Sequence, residues 1–599
     1  MSMSGRVLVS VAVAAQLAAC SATDPTAVVS ADPTSTSRLA SAPIERSSSG
    51  AAPRSQPGTS TSATPAASLT DTKPVTTQSI AVTSTASVPL PDAPPTRFVE
   101  PGRGHQISTV LFDHGILPLR AGTIELVARS WGVVSAPSDR PGPFPLVVVL
   151  HGAHSFCSPP DTPRLWPCAR GPEERNQDGL SYLTEALARS GFAAVALGIN
   201  AEYATPTALP GEVAAALIER DVIGLLRSGA ALGQLNVSTI DSSSAILIGH
   251  SRGASIAGVL GLTGDARHLS IPVAATVMIA PTTDGMDPNQ IADVPTAVLI
   301  GSCDGDTGVD GGGYLTTTNA TLRRSPIALI LVDRATHNAT NSLLGPDAVV
   351  EGRPGCDEPL DAHSQRADME KLLPETVRRL VGLNTSGSVG NSLLDSQRAD
   401  DRVGPGVRIV HIDPARMVTP VLNPESWKPA AAITQSLNGV ICTGGSFAAS
   451  ASAAALCHRI DLADLVGRPA SIHLAWTGSD GSSLRILTPP STPGTVLVIR
   501  AFADPLANPN RGSVGLVVSG QADATSAPTW VRNIDIDIAP VGAPMTGAGI
   551  RRGTVLWSER RFVIPDSSRM IQIRMVSDSA GSIDLVGVEL VAPTGPPAR

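Results

Sequence analysis

Ala245-Ile246-Leu247-Ile248-Gly249-His250-Ser251-Arg252-Gly253 is the stretch on which the reading of this chain turns. An unbroken apolar run enters a G-x-S-x-G turn, and a small-residue segment compatible with a helix leaves it. In such a turn the glycines let strand and helix approach closely, while the serine sits at a strained strand-to-helix junction with its hydroxyl projecting into a site. A chain with 55 glycines among 599 residues makes short Gly/Ser patterns by chance, so the surroundings decide.

Those surroundings repeat one texture. Leu146–Leu150, Ala193–Leu197, Ala245–Ile248, Val273–Ile279, Ala297–Ile300 and Ile327–Val332 are continuous rather than alternating apolar runs. Strands of this kind are buried on both faces and belong to parallel sheets covered by helices. Leu180–Ser190, Glu212–Arg227, the segment after Ser251 and Gln365–Leu380, the last expected to bend at Pro374, supply the helices. The expectation is an α/β fold: a mostly parallel sheet with helices on both faces.

In an open parallel sheet, reactive groups gather at the carboxyl ends of the strands. Ser251 follows one run, Asp304 and Asp306 follow Ala297–Ile300, and His337 follows Ile327–Val332. The order Ser, Asp, His is that of an α/β-hydrolase. A serine hydroxyl needs a base, and His337 is the candidate. An imidazole takes the proton and returns it to the leaving group when a carboxylate fixes its tautomer. Asp304, three residues past Gly301, is the preferred acid and Asp306 the alternative. Oxyanion donors are expected from the backbone N–H groups of Arg252 and of Ala153, in the His151-Gly152-Ala153 loop after Leu146–Leu150. His151 and His250 read as packing or hydrogen-bonding residues, and Asn338 and Asn341 read first as solvent-facing asparagines and only second as residues that order the last loop. Asp304, Asp306 and Asp310 lack the ligand set and closing glutamate of an EF-hand, so neither a metal nor a cofactor is expected.

Leu150-His151-Gly152, Gly249–Gly253, Gly301–Asp306 and Thr336-His337-Asn338 together resemble the bacterial extracytoplasmic α/β-hydrolases, in the neighbourhood of platelet-activating-factor acetylhydrolase-like and polyester-hydrolase-like enzymes. The resemblance covers roughly His105 to Leu383 and implies an α/β-hydrolase fold and acyl-transfer chemistry without fixing a substrate. In polyester hydrolases the acid follows its glycine at a different spacing, so that activity does not carry over.

The amino terminus resembles a bacterial lipoprotein signal peptide. Arg6 precedes a small-apolar core from Val7 to Ala15, and Leu17-Ala18-Ala19-Cys20 resembles a lipobox. Residues 1–19 are expected to be removed and Cys20 lipidated, anchoring the chain to the cell membrane outside the cytoplasm; an ordinary secretory signal is the alternative. Residues 20–96, rich in Ser, Thr, Pro and Ala, hold too little apolar surface to offset backbone entropy and read as a disordered tether. The catalytic domain is expected over 97–385 and a linker over 386–401.

From 402 to 599 the pattern changes to short strands split by Gly, Pro, Asn and Ser, with Ile534-Asp535-Ile536-Asp537-Ile538 alternating cleanly. This predicts an all-β sandwich, jelly-roll-like, with a carbohydrate or another polymer as candidate ligand. Trp476, Trp530 and Trp557 read first as core residues and only second as sugar platforms.

Apart from Cys20 there are six cysteines, an even number that suits disulfides in an oxidising compartment. Proximity favours Cys157 with Cys168 and Cys442 with Cys457, leaving Cys303 with Cys356, although all fifteen pairings stay formally open. The Cys157–Cys168 loop, carrying Trp166, is expected to wall the substrate pocket. A formal charge of −8 and a charged fraction of 16% argue against a nucleic-acid partner, which would need a basic face. The expectation is an exported, lipid-anchored serine hydrolase that cleaves carboxylic esters. The rivals are a peptidase or amidase on the same residues, and a non-catalytic polymer-binding lipoprotein.

Overall fold

The computed structural model describes residues 102–591, apart from internal segments of which the longest are 230–239, 384–401, 423–436, 443–470 and 538–557. The expected signal segment, Cys20, the tether, the linker 386–401, Cys457 and Trp557 lie outside the described residues.

Six continuous apolar runs become the strands β3 (Phe144–Leu150), β4 (Ala193–Leu197), β5 (Ile240–His250), β6 (Val273–Ile279), β7 (Thr296–Gly301) and β8 (Ile327–Val332). All five pairings among them are parallel, in the order β4-β3-β5-β6-β7-β8. Side chains alternate between two cores, as the period of a strand requires. Leu146, Val148 and Leu150 of β3 pack with Val213, Leu217 and Ile256 on one face. Val147 and Val149 pack with Leu183, Leu187, Leu373 and Val377 on the other. Thus the helix Glu212–Ile218, continued through a π turn at Glu219–Ile223 into Gly224–Ser228, lies with Arg252–Val259 on one side. The helices Ser181–Arg189 and Ala362–Leu380 cover the other, the latter running on through Pro374.

Two strands precede those read from the sequence. β1 (Ile107–Ala121) and β2 (Ile124–Pro137) form a long antiparallel hairpin turning at Gly122, φ +54°, and β2 joins β4 antiparallel. A register shift between Asp113 and Ile116 breaks the alternation that would have marked β1.

The boundary expected at residue 402 also differs from the backbone pairing. β9 (Arg402–Gly404) and β10 (Val407–Ile412) extend the large sheet, β10 running antiparallel to β8 from Val407 opposite Val332 to Ile412 opposite Ile327. The sheet therefore has ten strands, mostly parallel in the middle and antiparallel at both edges. Flanking Pro and Gly residues look alike on either side of such an edge strand, so texture alone assigned it to the following module.

Beyond it, ten strands among the described residues form two antiparallel sheets. One contains β11 (Val418–Leu422), β12 (Leu437–Cys442), β13 (Ser471–Trp476), β15 (Val496–Phe502), β18 (Ser558–Val563) and β20 (Gly581–Val591). The other is ordered β14 (Ser483–Leu487), β19 (Met570–Val576), β16 (Ser513–Gln521), β17 (Trp530–Asp537). A common core holds residues of both, including Leu474, Ile499 and Leu585 from the first and Leu516 and Ile573 from the second. Trp476 and Trp530 are inside it, and Trp530 donates its indole N–H to Ser568 Oγ at 2.9 Å. A further apolar cluster joins Leu329, Leu331 and Val410 of the large sheet to Phe502.

Cys157–Cys168 and Cys303–Cys356 are disulfides, which suggests an extracytoplasmic protein. Among the described residues no helix is long and apolar enough to cross a membrane.

Candidate active site

Four strands end at one place. β3 delivers His151-Gly152-Ala153, β5 delivers Ser251, β7 leads through Gly301 to Asp304, and β8 leads to His337. Glycine is required where these ends meet. A Cβ on Gly249 would lie 2.1 Å from Gly253 O, and one on Gly253 would lie 2.2 Å from His151 O. The helix Arg252–Val259 thus starts in backbone contact with the β3 loop, an approach closed to any larger residue. A Cβ on Gly301 would meet Ala335 O at 2.3 Å, which brings the Asp304 loop against the His337 loop.

Ser251 occupies the turn with φ 57° and ψ −130°, a left-handed conformation that a serine adopts only when its surroundings impose it. It is 7% exposed, whereas Asp304 and His337 are fully buried.

Asp304 and His337 are in contact. His337 Nδ1 lies 2.8 Å from Asp304 Oδ2, and Thr307 Oγ1 is 2.9 Å from the same oxygen. Oδ1 accepts from the backbone N–H groups of Asp306, Thr307 and Gly308 at 2.9, 2.7 and 3.1 Å. Burial pushes the Asp304 carboxyl upward, but the His337 charge and the hydrogen bonds from His337 and Thr307 outweigh it and hold the group below the usual carboxylate value. An ionised Asp304 fixes the Nδ1–H tautomer of a neutral His337 and leaves Nε2 to accept a proton.

Among the described residues, Nε2 of His337 is buried without a hydrogen-bond partner, Ser251 included. Asp306 Oδ2 stands 3.4 Å from it. The two aspartates therefore face opposite nitrogens of one ring, Asp304 at the orienting position and Asp306 on the side where a proton would be received. Burial lowers the His337 pKa, but the charge and hydrogen bond of Asp304, with the charges of Asp306 and Asp347, override it and raise it to about 9.

Several residues support this geometry, and two of them, Asp347 and Gln365, carry no sequence signal. Asp347 Oδ2 accepts from the backbone N–H groups of His337 and Asn338, and burial raises its pKa to about 6. Gln365 clamps the preceding residue, accepting from Thr336 N and donating to Thr336 O, both at 2.8 Å. Asn341 donates to Asn176 O at 2.9 Å and so ties the loop to the segment before Ser181–Arg189. His151 Nε2 accepts from Ile199 N at 2.9 Å, and burial lowers its pKa to about 4. His250 packs its ring 4.7 Å from that of His337 and lies 3.2 Å from His337 O through Nε2. Trp166 donates to Val127 O at 3.0 Å and packs edge-on against Phe156. Cys303 places the Cys303–Cys356 bridge next to Asp304 in sequence.

Ala153 and Arg252, from which backbone donors are expected, flank the same point: a Cβ on Gly152 would lie 2.7 Å from Ser251 Cβ. Among the described residues no group of three or more His, Cys, Asp or Glu side chains is gathered as metal ligands are. No protein-family model matches the chain, and no curated protein matches it either.

Proposed function

We propose that the chain is a serine hydrolase of the α/β-hydrolase fold that cleaves carboxylic esters through an acyl-enzyme on Ser251. The observation that carries this reading is the 2.8 Å contact between a buried, ionised Asp304 and His337 Nδ1, beside a serine held at positive φ on a strand-to-helix turn.

His337 Nε2 removes the Ser251 proton as Oγ attacks the ester carbonyl. The backbone N–H groups of Ala153 and Arg252 receive the oxyanion. Collapse of the intermediate breaks the bond to the alkoxy oxygen, which takes the proton from Nε2 and leaves as the alcohol. Water repeats the sequence on the acyl-enzyme, releasing the carboxylic acid and restoring Ser251. Asp304 stays ionised throughout and stabilises the imidazolium. Apo enzymes often lack such hydrogen bonds in good geometry, and the one from Ser251 to Nε2 forms when substrate seats.

The disulfides and the lipobox-like Leu17-Ala18-Ala19-Cys20 support an exported protein, anchored through a lipid on Cys20. The carboxyl-terminal pair of sheets is read as a jelly-roll-like sandwich that holds a carbohydrate or other polymer near the site.

A fluorophosphonate label followed by a panel of esters of increasing acyl length tests the reading. Wild type is expected to be labelled on Ser251 and to hydrolyse short esters, and Ser251→Ala to do neither. An unlabelled wild type, or equal labelling of the variant, overturns it.

A further inference from the structure

His154 lies in the loop after β3, just past the proposed donor Ala153. The point where a Cβ on Gly152 would sit is 2.7 Å from Ser251 Cβ and 2.8 Å from His154 Nε2, so the His154 ring edge and the Ser251 side chain border one small space. His154 Nε2 is buried there without a hydrogen-bond partner. The ring is held from behind, stacked on His250 at 5.9 Å between centroids and 30° between planes, and His250 in turn abuts His337. A buried polar nitrogen with no partner is costly to a fold, and a catalytic role is one of the few reasons to keep one.

We infer that His154 is a further catalytic residue, a neutral imidazole whose Nε2–H donates to the ester carbonyl oxygen as it becomes an oxyanion on Ser251. The inference rests on the serine-hydrolase reading and deepens it. Acyl-transfer sites need donors aimed at the position where charge develops, and a side-chain donor adds to the two backbone ones. Neutrality matters, because a cationic ring next to His337 would oppose proton transfer to the base. Burial, reinforced by His151 and His337, lowers the His154 pKa to about 3, so the ring is uncharged over the working range. No proton leaves His154 in the cycle. It donates one hydrogen bond in each tetrahedral intermediate and releases it on collapse.

Two variants of similar length separate donation from bulk: His154→Met fills the space without a donor, and His154→Gln restores an N–H. Kinetics on a short ester and the affinity of an alkyl boronic acid, whose serine adduct is a tetrahedral anion, are measured on the full chain. Thermal unfolding and the stoichiometry of fluorophosphonate labelling at Ser251 verify that each variant is folded.

His154→Met is expected to lose on the order of 10²-fold in kcat with KM nearly unchanged, and to lose boronate affinity in parallel. His154→Gln is expected to regain at least about tenfold over His154→Met. A fully labelled His154→Met with wild-type kcat overturns the inference, as does a rise in KM alone or the absence of rescue by Gln. If His154→Met does not fold, His154→Gln against wild type decides: near-wild-type kcat and boronate affinity support donation, and a loss in both as large as that expected for Met overturns it. A wild type that is not labelled at all removes the parent reading and this inference together, an outcome distinct from all the others.

Discussion

Asp306→Asn removes a charge from the receiving side of the proposed base while leaving the orienting carboxylate in place. Asp306 Oδ2 is 3.4 Å from His337 Nε2, and its side chain is 39% exposed. Two unit charges about 4 Å apart interact by about 1 kcal/mol in water and about 4 kcal/mol at the effective dielectric near a protein surface. The exposure of Asp306 places the pair toward the lower figure. At 1.36 kcal/mol per pH unit this is roughly one unit of His337 pKa. The other groups facing the ring are unchanged by the substitution: Asp304 and Thr307 at Nδ1, Asp347 at the backbone, and the imidazole of His250. The base works only when neutral, so activity rises with pH through its pKa. Removing a negative neighbour destabilises the imidazolium and lowers that pKa. The acidic limb of kcat/KM for a short ester, followed from about pH 5 to about pH 10, is therefore expected to move down by roughly one unit, with the plateau kept within a few-fold. Asp304→Asn, in the same assay, is expected to lose on the order of 10⁴ in kcat, with its residual acidic limb also moved down, because Asp304 contributes more than Asp306 to raising the His337 pKa. An unmoved or upward-moving limb in Asp306→Asn, or a collapse of its plateau matching that of Asp304→Asn, would refute the assignment of the two aspartates to opposite nitrogens.

Two further outcomes follow from buried groups around the site. Burial raises the Glu173 pKa to about 7 against a partial offset from Asn200 and the arginines, so the fold favours its protonated form. That contribution is fully present below the unfolded value near 4.5 and is lost as pH rises through about 7. Glu173→Gln should then raise stability in urea by about 1–2 kcal/mol at pH 8 and change nothing at pH 4, and an equal effect at both pH values contradicts this. The Cys303–Cys356 bridge closes 53 residues around the candidate acid and base, and replacing both cysteines by serine should lower stability by about 4 kcal/mol. Mild reduction of the wild type is expected to lower esterase activity before far-UV circular dichroism changes, while full activity in the reduced, folded protein would separate the bridge from the site.

Much of the central sheet could be read because burial on both faces leaves a continuous signature. Val273–Ile279 and Ile327–Val332 have the same limits in sequence and structure. β1 and β2 left no such trace, since a half-exposed hairpin with a register shift shows neither an unbroken run nor a clean alternation. Ser251, Asp304 and His337 were legible because strand ends locate them. Their supports were not. Asp347, Gln365 and His154 act from loops and a helix whose approach to the site is a product of tertiary packing, and a lone Asp, Gln or His has no periodicity to betray it. The choice between Asp304 and Asp306 is of the same kind. Only Gly305 separates them in sequence, and only the fold of the loop sends one to Nδ1 and the other to Nε2.

The antiparallel strand Val407–Ile412, which the sequence texture assigned to the carboxyl-terminal module, seals the large sheet. It covers the outer edge of β8, whose six residues end just before the His337 loop. Truncation at residue 402 bares that edge as an unpaired row of N–H and C=O groups bordered by Ile327, Leu329 and Leu331, a template on which another chain can pair. A truncation after Ile412 keeps the edge closed but strips Phe502 from the cluster around Val410. Aggregation of a shortened chain is thus no measure of polymer binding. To test the proposed polymer binding apart from the cover given to the large sheet, substitutions must fall on β14 or β17, the outer strands of the four-stranded sheet, and leave β10, Phe502 and their partners whole.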